Sequence, residues 1–173
     1  GEWENKANQV LQESSPVNVA VRTSVDPEKR EITAEVEAYY TDSSEAATNK
    51  LNVALLENDV PGQQTSAAEY YPANTLQDGQ YKHQHMLRHF FTGQWGDDIT
   101  DPSKGKLVKK TYTYQVPEEY KDVYANLANL EVAAYVAKGK RNVLAADKAK
   151  VSLDQQYLTD IAISDQSSTA GLC

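Results

Sequence analysis

The sequence predicts an all-β fold: an antiparallel, immunoglobulin-like β-sandwich with a short N-terminal helix. Three observations carry this reading. Between residues 16 and 153 apolar side chains recur largely at every second position, the spacing that turns one strand face to a core and the other to water. Two pairs of such runs are joined by short turns built from Pro, Gly and charged residues, as in hairpins. Helical and strand-like runs do not alternate, so parallel βαβ units are not expected. The count is six to eight strands. The chain is longer than the roughly 100 residues typical of such a sandwich, because of terminal arms and one long excursion.

Residues 3–14, WENKANQVLQES, place Trp3, Ala7, Val10 and Leu11 at i, i+4, i+7 and i+8, one apolar stripe of a short helix. Residues 1–15 are therefore read as a helical linker or arm. Pro16 disfavours helix at Ser15 and opens the sandwich domain, residues 16–153. In PVNVAVRTSV, Val17, Val19, Val21 and Val25 face one way; in EITAEVEAYY, Ile32, Ala34, Val36, Ala38 and Tyr40 do the same. The intervening DPEKR places Pro27 where a type I turn needs a fixed φ, so the two runs form a hairpin with a solvated, acidic outer face. LNVALLE supplies a third strand with Leu51, Val53 and Leu55 inward. Residues 57–80 are polar and punctuated by Gly, Pro and Asn; loops of that length are usually functional or mobile.

KLVKKTYTYQV presents Val108, Tyr112, Tyr114 and Val116 on one face, with Lys104, Lys106, Lys109 and Lys110 as a solvated face that discourages edge pairing. PEEYKDVYAN reads as a corner or short helical turn after Pro117. LEVAAYVAKGKRNVLAA is a second hairpin, with Leu130, Val132, Ala134 and Val136 inward and Gly139 in its turn. A last short strand is expected near Val151 to Leu153. Residues 154–173 form a C-terminal tail, polar, rich in small residues and expected to be disordered.

Acidic residues number 25 and basic residues 17, giving a formal charge of −8. Such a chain repels phosphate backbones and anionic headgroups, so neither a nucleic-acid partner nor a basic membrane-surface role is expected. The single cysteine, Cys173, permits no internal disulfide, thiolate zinc site or CxxC pair. No run approaches the roughly 18 apolar residues of a spanning helix. The chain starts at Gly1 and is read as a mature form or an excised fragment, any targeting or lipid-attachment signal lying upstream.

The stretch YKHQHMLRHFF, residues 81–91, contains all three histidines. As a strand it puts Tyr81, His83, His85, Leu87, His89 and Phe91 on one face. His83 and His85 would then lie about 7 Å apart and His89 about 20 Å from His83, at ~3.3 Å per residue. The first two could converge on one metal ion; all three could not. As a helix, His85 and His89 fall at the zinc-protease spacing, but Met86 stands where that chemistry needs a glutamate. The simpler reading gives Tyr81, Leu87 and Phe91 to a core face and the histidines to half-buried polar places, where an imidazole can donate one hydrogen bond and accept one. Thr92 to Gly96 then reverses the chain, with Trp95 weighed as an anchor packing over the sandwich end and as a recognition residue. No GxSxG, phosphate loop or nucleophile–base pair is present. No enzyme activity and no cofactor is expected.

Three stretches, LNVALLEND, YKHQHMLRHFFTGQWGDD and LVKKTYTYQVPEEY through NLEVAAYVAKGKRNVLAA, resemble a bacterial outer-membrane lipoprotein family named for its twenty-eight-kilodalton member. The likeness covers about Val17 to Ala146, and His83 to Gly96 is its most specific part. The resemblance implies an exported protein of the outer membrane and cell surface of a Gram-negative bacterium, with an immunoglobulin-like sandwich and a role as adhesin or antigen. It also implies membrane attachment only through an upstream lipid, since no lipid-bearing cysteine stands near Gly1. The expected partner is a protein or glycan at the cell surface. Tyr70, Tyr71, Trp95, Asp97 and Asp98 are the candidate contact residues, because Tyr and Trp anchor recognition surfaces. A metal-binding domain using His83 and His85 and a structural spacer are the alternatives.

Overall fold

A computed structural model describes residues 1–140 and 142–152. The N-terminal helix forms as α1 (Glu2–Val10), with Glu2 and Glu4 at its positive end. Its apolar stripe is not covered by the described residues: no residue of α1 is buried, and Trp3 and Leu11 are largely exposed. Among the described residues twelve strands follow, more than the six to eight expected. They are β1 (Val17–Asp26), β2 (Glu31–Tyr40), β3 (Thr48–Glu57), β4 (Val60–Gly62), β5 (Tyr81–His83), β6 (Met86–Phe90), β7 (Asp97–Thr100), β8 (Leu107–Gln115), β9 (Glu119–Tyr120), β10 (Val123–Tyr124), β11 (Leu130–Lys138) and β12 (Asn142–Lys150).

Two antiparallel sheets face each other. The first has the order β1-β2-β8; the second has β12-β11-β3-β6, with β7 also paired to β3. The period-two reading decides which faces meet. Ile32, Ala34, Val36, Ala38 and Tyr40 of β2 are all buried, as are Leu51, Val53 and Leu55 of β3 and Leu130, Val132, Ala134 and Val136 of β11. These rows form one contiguous core between the layers. Removing such apolar area from water is the main stabilising term. One polar pin crosses it: the Asn49 side-chain amide donates to the Tyr40 hydroxyl at 3.0 Å, both side chains being fully buried. At one side the sandwich is sealed by β1 against β12, where the Val21 amide donates to Asp147 Oδ2 at 3.0 Å.

The other side is closed by an aromatic seam between β6 and β8. His89 stacks on Tyr114 with centroids 3.8 Å apart and planes 7° from parallel, and Phe91 meets both rings edge-on. Burial holds the His89 imidazole below its ordinary pKa of 6.5. The folded state therefore prefers the neutral ring, and the unfolded chain protonates first as the pH falls. The stability tied to His89 is complete above pH 6.5 and declines as the pH drops from there toward the lower folded-state pKa. His89→Phe keeps an aromatic stack and is expected to flatten that acid limb in urea melts at stepped pH; an unchanged slope would contradict the assignment.

Several sequence expectations need correction. The histidine stretch is not one strand. It breaks at Gln84 and His85, where His85 has φ 54°, and β6 then carries an irregular register against β3 between Leu55 and Leu56. The break and the shift turn Leu87 out to solvent, 49% exposed, rather than into a core face. They let Arg88 and His89 both face the seam. Asp59 answers His85 on the opposite strand with φ 56°. The ribbon β3–β4/β5–β6 thus changes course at both strands together. The excursion beyond it carries regular structure: β4 pairs with β5, and the connection holds a short helix α2 (Ala67–Tyr70) with Ala67 buried. The segment after Pro117 is not helical. Lys121 and Asp122, both at positive φ, make the two-residue turn of the small hairpin β9–β10. A separate strand at Val151 is also absent: β12 runs to Lys150, and the Val151 amide simply donates to Leu130 O at 2.9 Å. Leu153 and the tail 154–173 lie outside the described residues.

Candidate functional site

The outer face of the second sheet, away from the core, holds a concavity of about 770 Å³, within the size range of small-ligand sites. Strand register dictates its floor. Leu51, Val53 and Leu55 point inward, so Thr48, Lys50 and Asn52 point outward. Tyr135 pairs with Asn52 and Ala137 with Lys50, so these two side chains lie beside them. The β6–β7 loop supplies Gln94 and Trp95, β7 supplies Asp98, and the β11–β12 turn supplies Gly139 and Lys140.

Trp95 is 63% exposed. Its loop is held against the sheet through Gly96, at φ 72°, where a Cβ would lie 2.7 Å from both Asn52 Oδ1 and Leu51 O. Only glycine allows that approach, and it fixes the height of the indole above the floor. The Lys140 ammonium sits 5.0 Å from the Trp95 ring centroid, a cation–π contact. Lys50 pairs with Asp98 at 2.5 Å and Lys138 with Glu45 at 2.8 Å. The concavity therefore offers one indole, one phenol, the Gln94 amide and an ammonium unpaired among the described residues, while Asn52, buried beneath Gly96 and bonded to Lys50 O, is part of the floor. Among the described residues lining it, none forms a nucleophile–base pair.

The sequence candidates are divided by the fold. Trp95 and Asp98 reach the concavity, and Trp95 is a rim residue with open surface instead of an anchor over the sandwich end. Asp97 points the other way, into the seam, where its Oδ2 accepts from the Tyr112 hydroxyl at 2.8 Å; burial, reinforced by this bond, pushes the Tyr112 pKa well up. Tyr70 and Tyr71 are exposed but stand on the excursion beyond Glu57, at the opposite end of β3. Asn52 and Glu57 alone are about 17 Å apart along the strand, at ~3.4 Å per residue. Tyr71 is braced edge-on by Tyr81, and Tyr81 by His83.

The metal candidates do not converge. His83 lies against Tyr81 and Gly62. His85 reaches back over the sheet, its Nε2 3.1 Å from Glu131 Oε1, while Lys148 Nζ donates to Glu131 Oε2 at 3.2 Å. Among the described residues no group of three or more His, Cys, Asp or Glu side chains is placed to hold a metal ion. Residues missed from the sequence are Asn52, Tyr135 and Lys140. They are far apart in the chain, and only the pairing of β3 with β11 brings the first two together.

The model of the outer membrane protein Omp28 family matches residues 1–155. The chain belongs to the Omp28 family. Among solved structures it is similar to a domain of the outer membrane lipoprotein Omp28 from Porphyromonas gingivalis, at 17% identity and TM-score 0.54, over 80% of this chain and 97% of that one. It is also similar to HBP35 of Porphyromonas gingivalis, at 15% identity and TM-score 0.60, over 86% of this chain and 45% of that longer one. At these identities the structural likeness speaks for the fold. No curated protein matches the sequence. Membership of the Omp28 family places the domain at the outer membrane and cell surface of a Gram-negative bacterium.

Proposed function

We propose that this Omp28-family domain is a non-enzymatic recognition module of the cell surface, and that it binds glycans on the outer face of its second sheet. The observation that carries the reading is the Trp95-centred concavity. An indole edge and face pack well on the apolar C–H side of a sugar ring, while the exposed Gln94 amide offers a donor and an acceptor for its hydroxyls.

A peptide partner fits this floor less well. Peptides commonly join a sheet by adding a strand at a free edge. Along the concavity β3 is paired on both sides, by β11 and by β7, so its backbone groups are already used. Side chains alone remain available, and those present suit a sugar.

The test is binding of the purified chain to a glycan array. Trp95→Ala is expected to remove the signal, at least tenfold, because most of the stacking surface goes with it. Tyr70→Ala with Tyr71→Ala, at the far end of β3, is expected to leave it intact. The reverse pattern would move the recognition surface to the 57–80 excursion.

A further inference from the structure

The chemistry around Trp95 narrows the ligand further. Of the lysines that line the concavity, Lys50 is neutralised by Asp98 at 2.5 Å. Lys140 has its ammonium over the indole instead, and no ion pair joins it to a carboxylate among the described residues. Although the chain's formal charge is −8, this ammonium gives the described lining of the concavity a net positive charge, since Lys50 and Asp98 cancel. Lys140 also follows Gly139, at φ 65°, at the tip of the β11–β12 turn. Its side chain can swing from the ring without disturbing the ladder.

A sugar ring that stacks on this indole meets the ammonium there. A neutral sugar must displace the cation from the π face and gives it nothing in return. A sugar with a carboxylate replaces the cation–π contact by a charge-assisted hydrogen bond, which is roughly twice as strong as a neutral one. The carboxylate would face Lys140 with Asp98 already held by Lys50, so the acid on the rim does not stand unscreened against it.

We infer that the concavity selects an anionic glycan, its ring on Trp95 and its carboxylate on Lys140. This rests on the reading of the concavity as the glycan-binding face.

The experiment compares matched pairs on the intact chain by calorimetry: trigalacturonic acid with its methyl ester, and 3′-sialyllactose with lactose. The acidic member of at least one pair is expected to bind tenfold or more tightly than its neutral match, and Lys140→Gln is expected to erase that difference by weakening the acid, the neutral member holding its affinity or gaining from the freed indole face. Raising salt should weaken the acid alone. Equal affinity within both pairs, or an acid preference that survives Lys140→Gln, overturns the inference. If neutral members bind and Trp95→Ala abolishes that binding, the concavity stands as the glycan face and only the anionic selectivity is lost. Binding by no member of either pair overturns the inference and counts against the glycan reading as well.

Discussion

Arg88→Met is expected to destabilise the domain by about 3–5 kcal/mol, the cost of leaving one member of a buried ion pair alone. Glu57 is 2% exposed, yet it lies at the end of a core-facing row. Two groups keep its charge acceptable there: Arg88 Nε donates to Oε2 at 2.7 Å, and the Asn126 amide donates to Oε1 at 2.8 Å. Arg88 in turn lies under the ring of Tyr120, 4.7 Å from its centroid. Burial, with the Tyr114 hydroxyl beside it, pushes the Tyr120 pKa well up, so the phenol stays neutral over the pair. Methionine can fill the channel but supplies no charge. Chemical denaturation of the variant checks the loss. A double change, Arg88→Met with Glu57→Leu, is expected to recover most of it, because the pair's mutual attraction largely offsets its own desolvation. A single variant as stable as the parent would mean that water already reaches Glu57.

Gly96→Ala is the second large effect, and it acts on the concavity. The methyl group would need φ near 72° and would meet Leu51 O and Asn52 Oδ1 at 2.7 Å. The left-handed conformation alone costs about 1–2 kcal/mol outside glycine. Leu51 O is backbone in a paired strand and cannot retreat, so the β6–β7 loop must lift, carrying Trp95 with it and loosening the pairing of β7 with β3. A loss of about 3 kcal/mol in stability is expected when the clash is added to the strain, together with loss of glycan binding. Gly93→Ala is the internal control. Its φ is 67°, but no atom lies within 4 Å of the added methyl, so it should cost the conformational part alone and keep most of the binding.

The period-two rows of β1, β2, β3, β8 and β11 were legible because each strand turns one row of apolar side chains toward the core, fully buried in β2 and β11 and half-buried in β8, and alternation reports that directly. What stayed hidden is non-local or conformational. Nothing in YKHQHMLRHFF marks the break at His85, since histidine at positive φ leaves no trace in hydropathy. The β9–β10 turn uses Lys121 and Asp122 in place of the Asn-Gly or Asp-Gly pair that would have announced it. Buried carboxylates leave as little trace: nothing in the sequence marks Glu57 and Glu131 as buried, because their partners Arg88, His85 and Lys148 are distant in the chain. In the concavity, Trp95 and Asp98 could be picked out because they close a distinctive motif. Asn52 and Tyr135 could not, since they become neighbours only through the register of β3 on β11.

The most direct measurement uses the fluorescence of Trp95 itself. Trp3 is the other tryptophan and stands exposed on α1, so a Trp3→Phe chain makes Trp95 the single reporter. Titrating that chain with a glycan that binds it on the array is predicted to give a saturable change in Trp95 emission, with the same midpoint as the binding curve. Saturable binding with Trp95 emission unchanged would place the ligand elsewhere on the domain.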